Sequence, residues 1–324
     1  MRAVVIREHG GPEVLRFEEL ADPEAGPGDL LVSVERAGVN FIDIYHRKGF
    51  YEVGLPLIPG MEGAGTVLAV GPEVNEFQAG DRVGWVDVIG SYSDRLLIPE
   101  DRAIPLPAAI GAPMAAAVLL QGITAHFLAN DTFPLSPGDR CLIHAGAGGV
   151  GLLLTQIAKS KGAEVFTTVG NEAKAELSRE AGSDHVIRYD SVDFKEAVEA
   201  IAGPNTLDVV YDGVGADTFE FGLDLIRPRG MMVTFGNASG PPRDISPLIL
   251  AAKGSIYLTR PTMRHYLATR AELLGRAGDL FSMIEQGTLD VRIGAEFGLS
   301  QAEEAQRALE GRATTGKVIL NTVD

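Results

Sequence analysis

Residues 141–151, CLIHAGAGGVG, constrain the fold more than any other stretch of this 324-residue chain. A short apolar run leads into four glycines within six residues, and a segment with helical periodicity follows. Gly146, Gly148 and Gly151 form the pattern G-x-G-x-x-G at this junction. Such glycines allow a tight turn, close approach of the backbone to a pyrophosphate and close helix–strand packing. The stretch predicts a dinucleotide-binding βαβ unit rather than a glycine-rich turn needed only for packing.

The pattern changes twice along the chain. Before residue 110, short β-branched stretches such as LLVSVERAG and GAGTVLAVG are separated by Gly, Pro and Asp, which indicates an antiparallel or barrel-like β region. From RCLIHA to MMVTFGNASG, strands and helices alternate as in a doubly wound parallel sheet. After about residue 260 a helix and a last strand, KVILN, follow. The length fits two domains of ordinary size.

Composition excludes several classes of protein. The single cysteine, Cys141, rules out an internal disulfide framework and a multi-cysteine zinc site. A formal charge of −16 argues against nucleic acid or an anionic membrane as the main partner. The N-terminal MRAVVIREHGGPEVL lacks the apolar centre of a secretory signal, and we find no apolar run of about 18 residues. We therefore expect a cytoplasmic protein with no membrane partner.

The end of the second strand of the βαβ unit bears on the choice of dinucleotide. An acidic residue there would bind the 2′-hydroxyl of NAD, but EVFTTVG ends without one. Glu172 follows two residues later, and Lys174 offers a cation for the 2′-phosphate of NADP. The residues favour NADPH, with a solvated first-turn lysine as the alternative interpretation of Lys174.

The stretch GDRCLIHAGAGGVGLLLTQIAK, together with AGVNFIDIYHRKGFY, FGNASG, LTRP and GRATTGK, resembles the quinone oxidoreductase (zeta-crystallin-like) branch of the zinc-free medium-chain dehydrogenases/reductases. The resemblance covers essentially the whole chain. It implies an α/β protein with a GroES-like β-barrel catalytic domain and a Rossmann domain built on a doubly wound parallel sheet. The catalytic domain would span residues 1–122, completed by 261–324, and the Rossmann domain residues 123–260.

Zinc alcohol dehydrogenases of the same superfamily carry a cysteine after GV and a histidine in GHE. This chain has Asn40 and Met61 at those positions, and the loop for a four-cysteine structural zinc is absent. An amide and a thioether do not replace thiolate and imidazole as strong zinc ligands. We predict no metal site, and hence a substrate that accepts hydride easily, such as a quinone or a conjugated enone.

The resemblance also implies the site residues. Asn40, Asp43 and Tyr45 would surround the reacting groups, and Tyr51 would lie near the substrate entrance. The cofactor contacts would come from the active-site segment, the Rossmann loops and two arginines: Phe41, Ile42, Thr124, Gly148, Gly149, Val150, Gly170, Lys174, Tyr189, Phe235, Gly236, Asn237, Ser239, Arg260 and Arg312. For Arg312 the alternative is an arginine that only faces the C-terminal dipole of a helix.

The expected function is NADPH:quinone oxidoreductase. One alternative on the same scaffold is an NADPH-dependent enone or 2-alkenal reductase, and another is an NADPH-binding protein with a structural or RNA-binding role. GSIYLTR, residues 254–260, alternates as a strand and would form an open sheet edge. We expect a homodimer that pairs through this edge.

Overall fold

The computed structural model describes residues 1–323. The chain forms two compact units, one of residues 1–123 with the segment from Leu267 onward, the other of Thr124–Tyr266. The second unit extends further toward the C-terminus than the predicted bound at residue 260. Tyr266 explains the difference, because its ring stacks on Phe127 at 4.3 Å and its hydroxyl accepts a 2.9 Å hydrogen bond from Thr132 Oγ1.

The first unit is built around a seven-stranded sheet. Strands numbered along the whole chain contribute as follows: β1 (Arg2–Ile6), β2 (Leu15–Glu19), β3 (Asp29–Val39), β4 (Glu62–Val70), β5 (Arg82–Val86), β6 (Arg95–Pro99), β7 (Ile104–Pro105), β14 (Ile293–Gly298) and β15 (Lys317–Asn321). The sheet has the order β14-β15-β3-β4-β5-β7, with β6 on β3, while β1 and β2 form a separate pair. The alternation of buried and exposed residues in β3 shows why these stretches fold as half-buried strands.

The C-terminal strand completes this sheet. β15 pairs antiparallel with β3, with Val318 opposite Val39 and Asn321 opposite Arg36. Val39, Val318 and Leu320 lie in one buried cluster with residues of β1 and of the C-terminal helix. Residues nearly 300 positions apart in sequence therefore share one core, as the resemblance implied.

Four helices belong wholly or partly to the first unit: α1 (Phe41–Lys48), α2 (Ala112–Phe127), α9 (Arg270–Glu285) and α10 (Ala302–Glu310). α2 carries the chain into the second unit. Together with the turn after it, Ala112–Thr132 is the one candidate in the described chain that is long and apolar enough to span a membrane. Our expectation that the chain has no such apolar run was therefore wrong, because this segment meets both the length and the composition. However, 67% of the apolar window is buried within the protein, as in a core helix.

The second unit contains a six-stranded, wholly parallel sheet. Its strands are β8 (Arg140–Ile143), β9 (Glu164–Val169), β10 (His185–Arg188), β11 (Leu207–Asp212), β12 (Ile226–Thr234) and β13 (Tyr257–Thr259). The order β10-β9-β8-β11-β12-β13 is that of a doubly wound dinucleotide-binding sheet. The predicted Rossmann architecture is confirmed, and β13, from the predicted edge segment, is the edge strand.

Helices α3 (Gly149–Ser160), α4 (Glu172–Glu180), α5 (Phe194–Ala202), α6 (Phe219–Leu225), α7 (Leu248–Ala252) and α8 (Met263–Tyr266) complete the second unit. The central strands β8, β9 and β11 are buried at all but one position each, because a parallel sheet covered on both faces exposes neither side. Leu142, Phe166, Val210 and Met232 are fully buried in one cluster with side chains from the helices. The carboxyl ends of β8, β9, β11 and β12 are thereby fixed in one row.

Candidate functional site

The glycine-rich loop joins β8 to α3. Its left-handed residue is Ala145, with φ 56°, rather than one of the three glycines of the motif. The Gly148 N–H donates to the Ala145 carbonyl at 2.8 Å, and this bond closes the turn. Gly148 is the N-cap of α3, whose first helical bond runs from the Leu152 N–H to the Gly148 carbonyl. The amides of Gly149 and Val150 therefore precede the bonded turn, where an anion is favoured.

The outer two glycines of the motif are required by close packing. A Cβ on Gly151 would lie 2.3 Å from the Ala145 carbonyl oxygen, and a Cβ on Gly146 would lie 2.6 Å from Cβ of Thr167 on β9. Gly148 is less crowded, since its nearest neighbour would be 3.2 Å away. The loop thus packs helix, turn and strand closely together and carries few side chains, which fits the approach of a pyrophosphate group to the backbone.

The predicted adenosine end is assembled at the carboxyl ends of β9 and β10. Gly170 leaves room for Tyr189, because a Cβ there would lie 2.6 Å from the Tyr189 hydroxyl. Lys174 stands in the first turn of α4, where its N–H donates to Asn171 Oδ1 at 2.9 Å. The structure therefore brings Gly170 and Tyr189 into contact and places Lys174 in the first turn of the helix that follows β9.

Glu172, the acidic residue nearest that strand tip, is engaged by two arginines. Arg179 Nη1 donates to Glu172 Oε1 at 2.8 Å and Arg188 Nη1 donates to Oε2 at 2.7 Å. These partners hold the pKa of Glu172 below its ordinary value, so the side chain is a carboxylate at neutral pH. Both carboxylate oxygens already accept bonds, which weakens Glu172 as an acceptor for a ribose 2′-hydroxyl. Arg179 and Arg188 were not predicted, since arginines in a polar helix and at a strand end resemble ordinary surface residues.

The loops that follow β11 and β12 are tied to each other. The Phe235 N–H donates to the Asp212 carbonyl at 2.8 Å, and the Ser239 N–H and hydroxyl both donate to the Val214 carbonyl. Gly236 is packed on the neighbouring loop, where a Cβ would lie 2.5 Å from the Gly213 carbonyl. Arg260 comes directly after β13 and donates to Thr234 Oγ1 at 3.1 Å. Phe235, Gly236, Asn237, Ser239 and Arg260 therefore form one group at this sheet edge.

In the first unit, Asn40 and Asp43 define the beginning of α1. The Asn40 N–H donates to Asp43 Oδ2 at 2.9 Å, and the Asp43 N–H donates back to the Asn40 carbonyl at 3.1 Å. The Tyr92 hydroxyl also donates to Asp43 Oδ2, at 3.0 Å. Asp43 is fully buried, and this burial raises its pKa to about 7, against the bonds from Asn40 and Tyr92 that favour the carboxylate. This arrangement makes Asp43 a residue that holds the segment in place.

The Asn40 carboxamide is surrounded by polar partners that sequence reasoning missed. Its Nδ2 donates to Glu62 Oε1 at 2.8 Å, and its Oδ1 accepts a 2.9 Å bond from Lys317 Nζ. Lys317 and Glu62 also form a direct ion pair. Gln121 Nε2 makes a longer contact with Asn40 Oδ1 at 3.4 Å. The second N–H of Asn40 reaches only the Gly38 carbonyl, at 3.5 Å, so it is the weakest of these bonds.

Tyr45 lies in an aromatic cluster with Phe41, Phe50 and Tyr51. The Tyr45 ring is 6.2 Å from the rings of Phe41 and Phe50 and 5.7 Å, edge on, from that of Tyr51. Tyr45 is 7% exposed, whereas Tyr51 is 38% exposed. Tyr51 is therefore the more exposed of the two tyrosines, and its predicted place near the substrate entrance stays a prediction.

The remaining predicted cofactor residues come from α1, α2 and the turn after α10. Phe41 and Ile42 are the first two residues of α1 and are half-buried, and Thr124 is a buried residue of α2. Arg312 follows α10 with φ 57°, the left-handed conformation in which helices commonly end. Its N–H donates to the Leu309 carbonyl at 3.1 Å, which places it at the helix C-terminus as the alternative interpretation supposed.

The donor set does not fit a catalytic zinc. Asn40 is committed to Glu62 and Lys317, and a buried ammonium stands where a dication would need anionic or imidazole ligands. Within residues 1–323 there is also no group of three or more His, Cys, Asp or Glu side chains arranged to hold a metal.

Comparison with known proteins agrees with this geometry. Residues 26–108 match the alcohol dehydrogenase GroES-like domain, and residues 149–273 match the zinc-binding dehydrogenase domain. The quinone oxidoreductase of Pseudomonas aeruginosa is 42% identical over 96% of this chain and 97% of its own. This chain belongs to the zinc-free quinone oxidoreductase branch of the medium-chain dehydrogenases/reductases.

Other members of the branch are similar in structure and sequence. The crystal structure of Escherichia coli quinone oxidoreductase complexed with NADPH superposes with a TM-score of 0.97 at 40% identity, covering 99% of this chain and 100% of that one. The 2-haloacrylate reductase of a Burkholderia species is 38% identical over 98% of each chain. The predicted family and fold are confirmed.

Proposed function

We propose that this chain is an NADPH:quinone oxidoreductase that transfers hydride to a small-molecule quinone without a metal. The observation that carries the proposal is the tightly packed glycine-rich loop at Gly146–Gly151, in a chain 40% identical to a quinone oxidoreductase whose structure is complexed with NADPH. The pyrophosphate contacts would be the backbone at Gly148, Gly149 and Val150. Gly170, Lys174 and Tyr189 would face the adenosine end.

The loop after β12 and the residues around it would bind the nicotinamide half. We assign this role to Phe235, Gly236, Asn237, Ser239 and Arg260, with Thr124, Phe41, Ile42 and Arg312 as further contacts. When bound, NADPH supplies hydride from its nicotinamide ring to the acceptor. The protein has to hold the acceptor in reach, keep the site ordered and donate hydrogen bonds to the oxygen on which negative charge develops.

Among the proposed catalytic residues, Tyr45 and Asn40 have different roles. Tyr45 lies in an aromatic cluster beside the more exposed Tyr51, which suits contact with a flat quinone. Asn40 has one N–H whose internal contact, to the Gly38 carbonyl, is as long as 3.5 Å, so this donor can bond an oxyanion while the amide keeps its orientation. Asp43 contributes by fixing the start of α1 rather than by touching the substrate.

Tyr45→Phe tests the donor role. We expect the turnover number with 1,4-benzoquinone to fall about three- to thirtyfold, the weak end of the range for an oxyanion donor, because a cleft that admits a flat ring is open to water. Tyr257→Phe, on the exposed β13, is the control and should keep the parental rate. A parental rate in Tyr45→Phe, or loss of activity on treatment with a chelator, would contradict the mechanism.

The enone or 2-alkenal reductase alternative is favoured by one observation, the 38% identity to a 2-haloacrylate reductase. Steady-state rates of NADPH oxidation with 1,4-benzoquinone and with a simple enone distinguish the two. A higher kcat/KM for the quinone supports quinone reduction, and the reverse supports the alternative. Absence of NADPH oxidation with every quinone and enone tried would favour the structural or RNA-binding role.

We also propose a cytoplasmic homodimer with no nucleic-acid or membrane partner. β13 is the edge of the six-stranded sheet, and Tyr257 on it is 59% exposed. Such an edge offers unpaired backbone groups to a second copy of the chain. Light scattering at micromolar concentration should give about twice the 34.3 kDa monomer mass, and a monomer mass would contradict the proposal.

A further inference from the structure

A buried polar cluster in the first unit consists of Lys317, Glu62 and Asn40, and we call it the Lys317 cluster. Lys317 is 1% exposed, Glu62 0% and Asn40 3%. The Lys317 ammonium pairs with Glu62 Oε1 and donates to Asn40 Oδ1 at 2.9 Å, while Asn40 Nδ2 donates to the same Glu62 oxygen at 2.8 Å. Each residue of the triangle thus contacts the other two.

The cluster joins parts of the first unit that are distant in sequence. Glu62 is the first residue of β4, Lys317 the first of β15, and Asn40 the residue before α1. The second oxygen of Glu62 accepts a 2.7 Å bond from the Leu120 N–H in α2. The cluster therefore links the first residues of β4 and β15 to the start of α1 and to the backbone of α2.

Burying an ion pair completely is costly, and fold stability alone does not require it, since apolar residues of similar volume often stabilise a core as well or better. Burial lowers the pKa of Lys317 to about 7, and the nearby Asp43 carboxyl opposes this shift. Arg47, also buried, is occupied elsewhere, with Gln306 at 2.8 Å and Glu310 at 2.6 Å. Lys317, paired with the Glu62 carboxylate, is therefore the cation that donates to Asn40.

The orientation of Asn40 depends directly on this cation. An amide can turn about its side-chain torsion and exchange Oδ1 with Nδ2, but an ammonium accepts no hydrogen bond and a carboxylate donates none. With Lys317 on one side and Glu62 on the other, only one orientation satisfies both. That orientation directs one N–H at Glu62 and leaves the other in its weak contact with the Gly38 carbonyl.

We propose that Lys317 is a positioning residue, whose buried ammonium, paired with Glu62, locks the orientation of the Asn40 carboxamide and the start of the helix that carries Tyr45. The proposal rests on the proposed function, because it concerns a residue assigned there. The proposal assigns a positioning role to Lys317 and its partner Glu62. Neither side chain contacts the substrate.

A single and a double variant distinguish a positioning role from a role in stability alone. Lys317→Met removes the ammonium and leaves a buried carboxylate without its cation, so this variant should melt at a lower temperature. Lys317→Met combined with Glu62→Gln removes that stranded charge and should recover at least half of the loss. Lys159→Met is the matched control, since Lys159 pairs with Asp184 at 2.7 Å in a partly exposed position of the second unit.

Four quantities are measured on each variant: melting temperature, the NADPH dissociation constant, kcat on 1,4-benzoquinone, and hydrogen exchange of peptides within residues 38–48 without cofactor. In both Lys317 variants we expect kcat to fall about tenfold to a hundredfold, because a misplaced donor loses transition-state bonding. NADPH affinity should stay within about threefold of the parent, and exchange in residues 38–48 should be faster. Lys159→Met should change the dissociation constant, kcat and the exchange rates by no more than about twofold, and the melting temperature by no more than about 1 °C.

A double variant that regains the parental kcat together with the melting temperature overturns the proposal, because the pair would then serve stability alone. Parental exchange rates in residues 38–48 of both variants overturn it as well. If Lys317→Met does not fold, the double variant alone decides on the same criteria. If the parent reduces no quinone, the proposed function fails, and hydrogen exchange still decides whether Lys317 orders this segment.

Discussion

The candidate sites of the two units differ in where they place their charged groups. The second unit exposes its ion pairs around the predicted adenosine end, where Glu172 meets Arg179 and Arg188 at the surface. The first unit encloses Lys317, Glu62 and Asp43 completely. Exposed pairs are screened by water and salt, whereas buried charges depend on each other. One site therefore keeps its charges at the surface, and the other encloses them among side chains that contact one another.

The largest effect is expected at the loop of the second unit. Gly151→Val places a side chain where even a Cβ would lie 2.3 Å from the Ala145 carbonyl, so the turn and α3 must separate. We expect NADPH affinity to fall by at least about a hundredfold, measured by fluorescence titration. Gly278→Ala in α9 is the control, since a Cβ there meets nothing within 4 Å. A dissociation constant within threefold of the parent would contradict the role of the loop.

The next largest effect is expected for the buried carboxyl group of Asp43. With its pKa raised from 3.8 to about 7, the folded protein keeps a proton that the unfolded chain loses between these values, so stability falls as the pH rises. Asp43→Asn has no such proton. Its melting temperature relative to the parent should therefore rise by several degrees between about pH 5 and pH 7.

The control for this prediction is Asp190→Asn. Asp190 is exposed and paired with Arg188, which lowers its pKa, so both states are ionised over that whole range. Its difference from the parent should be flat between pH 5 and pH 7. A flat difference for Asp43→Asn too would show that the Asp43 carboxyl ionises at an ordinary pH.

A smaller effect is expected where the second unit presents charge. Lys174→Ala should raise the Michaelis constant for NADPH about fivefold, since one phosphate contact contributes about 1 kcal/mol, and leave that for NADH nearly unchanged. Lys161→Ala is the control. Lys161 is the C-cap of α3, and its loss should alter neither Michaelis constant. Equal Michaelis constants for the two cofactors in the parent enzyme would remove the basis for the predicted NADPH preference.

The smallest effect is expected for a surface pair. Glu303 accepts a 2.7 Å bond from Arg307 one turn along α10, and both side chains are exposed. Glu303→Ala should change the melting temperature by no more than about 1 °C, because water replaces the lost partner. A loss comparable to that of Lys317→Met would erase the proposed distinction between enclosed and exposed charge.

Most of the second unit could be predicted from the sequence. The strand before Gly146, the helix after it and the alternation through residue 240 follow from short-range periodicity, and the sheet order confirms them. The left-handed Ala145 could not be predicted, because the three nearby glycines are the usual candidates for such a turn. The roles of Arg179 and Arg188 also escaped prediction, since nothing local distinguishes them from other surface arginines.

The first unit shows the limit of the same reasoning. Lys317 and Glu62 open strands in KVILN and EGAGTVLAV, where a charged residue ordinarily lies at a solvent-exposed strand end. They meet across 255 positions. Only the pairing of β15 with β3, and of β3 with β4, brings them to Asn40.

The sequence by itself determined the dinucleotide loop, the α/β class and the replacement of zinc ligands by Asn40 and Met61. These depend on residue type and on spacings of a few positions, within which backbone geometry is fixed. The tertiary structure decided which charged groups are enclosed, how Asn40 is held and that Asp43 is buried where it bonds the Asn40 N–H. Burial and long-range pairing set the strength of a charge, and both arise only when distant strands are brought together.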